Sequence, residues 1–146
     1  MKKILSLVLF AFMAVQFTNA ADVVAQEVEK LPVEARNFIS QHFPQAKISR
    51  VKVDDKLLME KKYEVLFSDG MEIEFDSKGT WKEIDMKNGK LPVAILPNSV
   101  NDYVKKTYSS NHVMKIEHDS DGYDVKLNNG LSLEFDQTGA FKKVND

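Results

Sequence analysis

The chain contains an internal repeat, and this repeat limits the possible folds more than any other feature of the sequence. Residues 63–84 read YEVLFSDGMEIEFDSKGTWKEI, and residues 123–144 read YDVKLNNGLSLEFDQTGAFKKV. The two segments keep most of the apolar positions and both glycines, whereas most of the polar residues differ. Self-similarity of this kind is typical of structural units that stack on one another. We therefore expect two units built on one plan.

The repeat begins upstream of these segments, with a helix. Residues 31–39 (LPVEARNFI) align with residues 96–104 (LPNSVNDYV) at an offset of 65 residues. In both, apolar residues recur at the spacing of one helix face. Pro32 and Pro97 suit the first turn, where the missing N–H is not needed. Each unit is thus predicted to begin with an amphipathic helix of about three turns.

The residues after each helix alternate between apolar and polar, as in an antiparallel sheet with one buried face. A three-residue loop over 68–70 would pair Phe67 with Met71 on the inward face. Gly70 would supply the left-handed conformation of such a loop, and loops 77–79, 128–130 and 137–139 repeat the device. The expected fold class is α+β: a tandem repeat of two units, each with one helix packed on a four-stranded antiparallel β-meander.

The repeat and its flanks divide the chain into five parts. Residues 1–20 have the features of a signal peptide: two lysines, an apolar stretch over 4–15 and small residues up to Ala20. Residues 21–30 form a lead-in segment, 31–85 the first repeat, 86–95 a connector and 96–146 the second repeat. The apolar stretch is shorter than the roughly 20 residues of a transmembrane helix. We expect a periplasmic or secreted protein with no membrane span after signal cleavage.

Composition excludes several classes of function. The chain has no cysteine, which rules out disulfides and thiol catalysis. Removal of Lys2 and Lys3 from the 20 basic residues leaves a net charge of about −4 against the 22 acidic ones, so no nucleic-acid partner is expected. No serine, histidine and acid combination forms a recognisable nucleophile motif. We therefore expect neither an enzyme nor a cofactor.

The order of the motifs resembles a known family. In the first copy it runs LP, YEV, DG, EIEFD, KG and W, and the second copy follows the same order. It is similar to the PepSY-like domain of the "putative beta-lactamase-inhibitor-like" type, found in exported proteins of the Bacteroides group. The resemblance implies a layout like that of beta-lactamase inhibitor protein, whose concave sheet grips an enzyme. By analogy, the PepSY name also implies roles like those of peptidase propeptides.

The candidate binding residues lie on the first repeat. Its first hairpin is five residues longer than that of the second and contains Leu57, Leu58 and Met59. These side chains would either form an exposed contact surface, or else pack on the neighbouring unit or extend the strand. Four further candidates would lie on the uncovered sheet face: Glu64, Leu66, Glu72 and Glu74. The leading hypothesis is a non-catalytic protein-binding module, inhibitory or regulatory, whose partner is another exported or periplasmic protein.

The alternative hypothesis is a small-ligand or calcium-binding periplasmic protein. Asp119, Asp121 and Asp124 cluster in the sequence, but they lack the spacing and the closing glutamate of a hand-type calcium loop. Asp121 and Gly122 are more simply explained as a hairpin turn. His112 and His118 have no third ligand at metal-binding spacing, so no metal site is predicted.

Trp81 also allows two interpretations, an interface anchor or a core residue opposite Phe75. The position opposite Phe75 favours the core. Strict alternation from Trp81 would then bury Glu83 and expose Ile84, so a β-bulge is expected in this strand.

Overall fold

The structure, a computed structural model, describes residues 19–145. The predicted signal peptide thus lies outside the described residues, apart from its last two. The described residues form three helices, α1 (Ala20–Glu29), α2 (Val33–His42) and α3 (Asn98–Thr107), and a short 3₁₀ segment (Val93–Ile95). They also form eight strands, β1 (Ile48–Asp54), β2 (Lys62–Phe67), β3 (Glu72–Phe75), β4 (Trp81–Asp85), β5 (Val113–His118), β6 (Gly122–Leu127), β7 (Ser132–Asp136) and β8 (Phe141–Asn145). No helix within residues 19–145 is long and apolar enough to cross a membrane.

All eight strands form one antiparallel sheet in chain order. The central junction is the pairing of β4 with β5, where Ile84 lies opposite Ile116 and Glu83 opposite Glu117. The sequence left open whether two four-stranded sheets would join, and this junction makes them one continuous sheet. The mixed helix-and-sheet class and the antiparallel sheet are confirmed.

The predicted turn geometry is also confirmed. The Phe67 N–H donates to the Met71 carbonyl at 2.9 Å, and Gly70 has a φ of +91°. Phe75 lies opposite Trp81, whereas Glu74 lies opposite Glu83, so Lys82 is the extra residue of a bulge. This bulge allows Ile84 to be buried on the same face as Trp81, as the sequence required.

Helices α2 and α3 cover one face of the sheet and form the core with it. Phe38 of α2 packs edge-on against Phe75 at 5.9 Å, and Tyr103 of α3 packs the same way against Phe135 at 5.5 Å. The helices begin at Val33 and Asn98, one residue later than the prolines suggested. The reason is that each proline is still extended, with ψ near 140–150°, and occupies the N-cap position.

The lead-in segment is helical and covers the β1 edge of the sheet. Val28 of α1 packs against the core, and the Glu27 carboxylate accepts a hydrogen bond from the Val51 backbone N–H at 3.0 Å. A strand N–H that would otherwise be unpaired thus has a side-chain partner. On the face of the sheet opposite the helices, called the outer face below, no helix of residues 19–145 lies.

Candidate functional site

Six carboxylates form a single row across the outer face. The strand register places Glu64 beside Glu74, then Glu83, Glu117, Asp124 and Glu134 in succession. Lys52 on β1 and Lys143 on β8 close the row at its two ends. Because outward positions recur every second residue, one acidic residue per strand at matching register is enough to build this carboxylate row.

Lysines at neighbouring positions offset the repulsion within the row, since like charges directly opposite one another are destabilising. Lys62 lies 2.9 Å from Glu74, and Lys115 bridges Glu83 at 2.9 Å and Glu117 at 2.7 Å. Although partial burial opposes it, hydrogen bonding to these two glutamates raises the pKa of Lys115. The row is therefore a network of ion pairs in its first half.

The second half of the row is less evenly balanced. Hydrogen bonds from Lys142 and Asn145 lower the pKa of Glu134 to about 2. Asp124, in contrast, forms no ion pair with any residue in the described part of the chain. Partial burial, followed by the charges of Glu134, Glu117 and Asp119, raises its pKa. Asp124 is thus the carboxylate of the row that would gain most from an incoming cation.

A groove of about 410 Å³ lies at the end of the outer face, where three hairpins turn. Six carboxylates line it, against two lysines and one histidine: Glu60, Lys62, Glu74, Asp76, Lys82, Glu83, Glu117, His118, Asp119 and Ser120. Partial burial and the nearby Lys82 lower the pKa of His118, so this ring is neutral at neutral pH. The groove is net negative and attracts cationic groups.

Three consecutive apolar side chains project from the β1–β2 hairpin. Leu57 is 92% exposed, Leu58 100% and Met59 66%, and we call these three residues the tip. Packing on the neighbouring unit is therefore wrong, and so is extension of the strand, since β1 ends at Asp54 and β2 begins at Lys62. Glu60 follows the tip directly and lines the groove, so the tip adjoins the groove.

The other predicted site residues lie on the outer face, as expected. Glu64 and Glu74 belong to the carboxylate row, whereas Leu66 and Glu72 lie side by side in the next row. Leu66 is half-buried, and Glu72 forms an ion pair with Lys87 at 3.0 Å. Sequence reasoning missed Glu83 and Glu117 as members of this surface, because only the pairing of β4 with β5 brings them together.

Trp81 lies mainly on the core side of the sheet. Its ring is half-buried, 6.5 Å from the Phe38 ring of α2 and 5.6 Å from the ring of His118. His118 also stacks on Tyr123 at 4.5 Å. The indole thus packs beside the helix and reaches the rim of the sheet, which agrees with the core interpretation.

The acidic turn after β5 is a hydrogen-bonded turn. One carboxylate oxygen of Asp119 accepts hydrogen bonds from the backbone N–H groups of Asp121 and Gly122, at 2.7 and 3.2 Å. A second, smaller depression of about 140 Å³ is lined by Asp119, Asp121, Asp124 and Glu134 among others. Within residues 19–145, no three His, Cys, Asp or Glu side chains are grouped so that they could hold a metal ion.

Comparison with known proteins defines the class to which this fold and surface belong. A family model described as "Putative beta-lactamase-inhibitor-like, PepSY-like" matches residues 61–143. The chain belongs to this PepSY-like family, as its motifs suggested. Among proteins with curated functions, none matches the chain significantly.

Several crystal structures from Bacteroides species are similar to the chain. A "putative periplasmic protein of unknown function" from Bacteroides vulgatus is 43% identical with a TM-score of 0.78, and the match covers 82% of this chain and 94% of that one. A "putative calcium-regulated periplasmic protein" from Bacteroides thetaiotaomicron is 39% identical with a TM-score of 0.78, over 82% and 93% of the two chains. These descriptions confirm the predicted periplasmic localisation.

Proposed function

We propose that the chain is a non-catalytic protein-binding module of the periplasm, with an inhibitory or regulatory role toward another exported or periplasmic protein. The observation that carries the proposal is the exposure of Leu57 and Leu58, at 92% and 100%. Burying one such leucine against a partner contributes about 1.5–3 kcal/mol. An apolar tip at the end of a hairpin is thus suited to enter a pocket on a partner.

The groove and the carboxylate row suggest the chemistry of the surrounding contact. The groove adjoins the tip, whereas the carboxylate row runs away from it across the outer face. Both surfaces are rich in carboxylates. A partner that places lysine or arginine over Asp124 and the groove would complement this charge. Such complementarity mainly accelerates association and selects the partner, whereas the buried tip would provide most of the affinity.

A pull-down from periplasmic extract tests the proposal. The test variant carries Leu57→Asp and Leu58→Asp, and the matched control carries Val33→Asp and Val93→Asp, two exposed apolar residues on helical segments. We expect the wild type and the control to recover the same partner and the tip variant to recover only background. Equal recovery by the tip variant would show that the tip does not bind.

Calcium binding is a second candidate function, favoured by the description of the 39% identical relative as calcium-regulated. The depression at Asp119, Asp121, Asp124 and Glu134 is the place where a cation would gather oxygen ligands, although these side chains would have to move closer together, since as they stand they form no group that could hold a metal ion. A ligand that binds only the folded state raises the midpoint of thermal unfolding. A midpoint unchanged by millimolar calcium would exclude this function, whereas a rise that Asp124→Asn abolishes would support it.

We also propose that residues 31–85 and 96–146 are two copies of one unit. Support comes from the element order, since a helix followed by four strands occurs in both, and from the equivalent bulges opposite Phe75 and Phe135. Superposition of the two halves of an experimental structure tests this proposal. Halves that match over the helix and all four strands would support it, and a different strand path in either half would reject it.

The proposed boundary of the signal peptide has a direct test. Cleavage after Ala20 predicts that the exported protein begins at Ala21, which intact-mass measurement of the periplasmic protein would detect. A mature mass corresponding to any other first residue would place the boundary elsewhere.

A further inference from the structure

The two edge strands of the sheet, β1 and β8, differ in how they are covered. At the β1 edge, α1 packs along the strand and Glu27 accepts the hydrogen bond of the Val51 N–H. Strand β8 has a neighbour on one side only among the described residues. Its inner-face residues Phe141 and Val144 are 37% and 40% exposed, although this face is buried elsewhere in the sheet. An uncovered edge with apolar side chains is a template for pairing with another strand.

The junction between β4 and β5 indicates what such a strand would look like. Ile84 lies opposite Ile73 in the same way that Val144 lies opposite Leu133. Ile84 is fully buried because Ile116 of β5 lies on its other side. The ladder also continues past β4, where the Met86 N–H donates to the Met114 carbonyl at 2.9 Å. Strand β8 offers the same position, and no strand of the described residues pairs with its other edge.

The charges on β8 differ from those on β4 and define the complementary strand. Lys143 stands where β4 carries Glu83, and Lys142 precedes it. At the internal junction Glu83 lies opposite Glu117, and Lys115 must bridge the two carboxylates. A carboxylate opposite Lys143 would need no such bridge. Cross-strand pairs of opposite charge are favourable, and pairs of like charge are not.

We propose that β8 binds an extended segment of a partner protein as a ninth, antiparallel strand, with an apolar residue opposite Val144 and a carboxylate opposite Lys143. Main-chain hydrogen bonds would provide affinity, and these two side-chain positions would provide selectivity. Edge lysines commonly prevent indiscriminate strand pairing. Here they repel basic strands and accept acidic ones.

Strand β1 of a second copy fits this edge poorly. The strand equivalent to β5 in the first half is β1, in which Val51 and Lys52 take the places of Ile116 and Glu117. Docking β1 of a second copy would set Lys52 against Lys143, two like charges. In addition, α1 already covers β1. The charges on β8 therefore favour an acidic strand of a partner protein over β1 of a second copy.

A synthetic peptide serves as the probe. Its sequence is that of β5, because β5 pairs with β4 in the way that the partner strand would pair with β8. The peptide HVMKIEHD, residues 112–119, would place Ile116 opposite Val144 and Glu117 opposite Lys143. Binding of the fluorescently labelled peptide to the full chain is measured by anisotropy. The Val144→Asp variant should bind at least about tenfold more weakly, whereas the exposed-valine control Val33→Asp should bind like the wild type.

A charge exchange makes the test specific for register. The Lys143→Glu variant should lose affinity for the natural peptide and regain it for a peptide that carries Glu117→Lys. Absence of binding to the wild type at millimolar peptide, or binding that Val144→Asp leaves unchanged, would overturn the proposal. A dimer in solution that Val144→Asp dissociates would overturn it as well, by assigning the edge to a second copy. The tip variant Leu57→Asp, Leu58→Asp should bind the peptide normally, so the two binding proposals fail independently.

Discussion

The substitution Gly79→Ala tests how closely α2 sits on the β3–β4 turn. Gly79 is buried with a φ of +89°, and a Cβ at this position would lie 2.8 Å from the backbone nitrogen of Ala35 and 2.8 Å from the Cβ of Pro32. Gly70 has nearly the same φ, +91°, but its nearest neighbour would be the Lys87 Cγ at 3.9 Å. Gly70→Ala is therefore a matched control with the same backbone strain and no clash.

The expected magnitudes follow from these two geometries. Placing alanine in the left-handed region costs about 1–2 kcal/mol at either site. At Gly79 the clash with the backbone of α2 adds an overpacking penalty of about 1–3 kcal/mol. The free energy of unfolding should thus fall by about 1–2 kcal/mol for Gly70→Ala and by about 2–5 kcal/mol for Gly79→Ala. For a chain of this size, each kcal/mol corresponds to about 3–5 °C in the melting temperature.

Urea unfolding followed by far-UV circular dichroism measures both variants. The slope m should match that of the wild type, so that the midpoint alone reports the change in stability. Fluorescence of Trp81, which lies two residues from Gly79, provides a second probe of the same transition. Equal losses of stability in the two variants would refute the close packing of α2 on this turn.

Three further predictions concern the sheet and its charges. Ile84→Ala should lower the free energy of unfolding by about 2–5 kcal/mol in one cooperative urea transition, because Ile84 is fully buried at the junction of the two halves; separate transitions for the two halves would contradict the continuous sheet. Asp124→Asn should raise the melting temperature at pH 7, because burial and neighbouring carboxylates raise the pKa of Asp124 and so disfavour its charged form in the folded state; the gain should shrink as the pH falls through this raised pKa and should vanish below the ordinary value of 3.8, and a loss at pH 7 would contradict the sign. Glu134 should titrate near pH 2 by NMR, so its stabilising contribution is complete above its ordinary value of 4.5 and is lost as the pH falls toward 2; an unshifted titration would disprove its hydrogen bonds with Lys142 and Asn145.

Much of the fold could be predicted from the sequence because its signals are local. The alternation around Phe67 and Phe75 fixes which side of each strand faces inward, and the glycine of each loop fixes the register. Even the bulge at Lys82 could be inferred, since Trp81 and Ile84 cannot share a face without it. These features depend on residues within a few positions of one another.

The surface could be predicted only in part, because it depends on contacts between distant segments. Glu83 and Glu117 are neighbours only through the β4–β5 pairing, and nothing near either residue encodes that pairing. The hydrogen bond from Val51 to Glu27, which covers one edge, links segments 24 residues apart. The sequence likewise did not determine whether Leu58 is exposed, since the same apolar residues could have packed on a neighbouring unit.

Photo-crosslinking in the periplasm tests the central claim, partner binding by the tip and outer face, most directly. A photoreactive amino acid is placed at Leu58 in the tip, at Glu83 in the carboxylate row, and at the exposed Lys105 of α3 as a control on the helical side. Adducts of the same mass are expected from Leu58 and Glu83, and none is expected from Lys105. A partner that crosslinks to Lys105 and to neither of the other two positions would contradict the proposed binding surface.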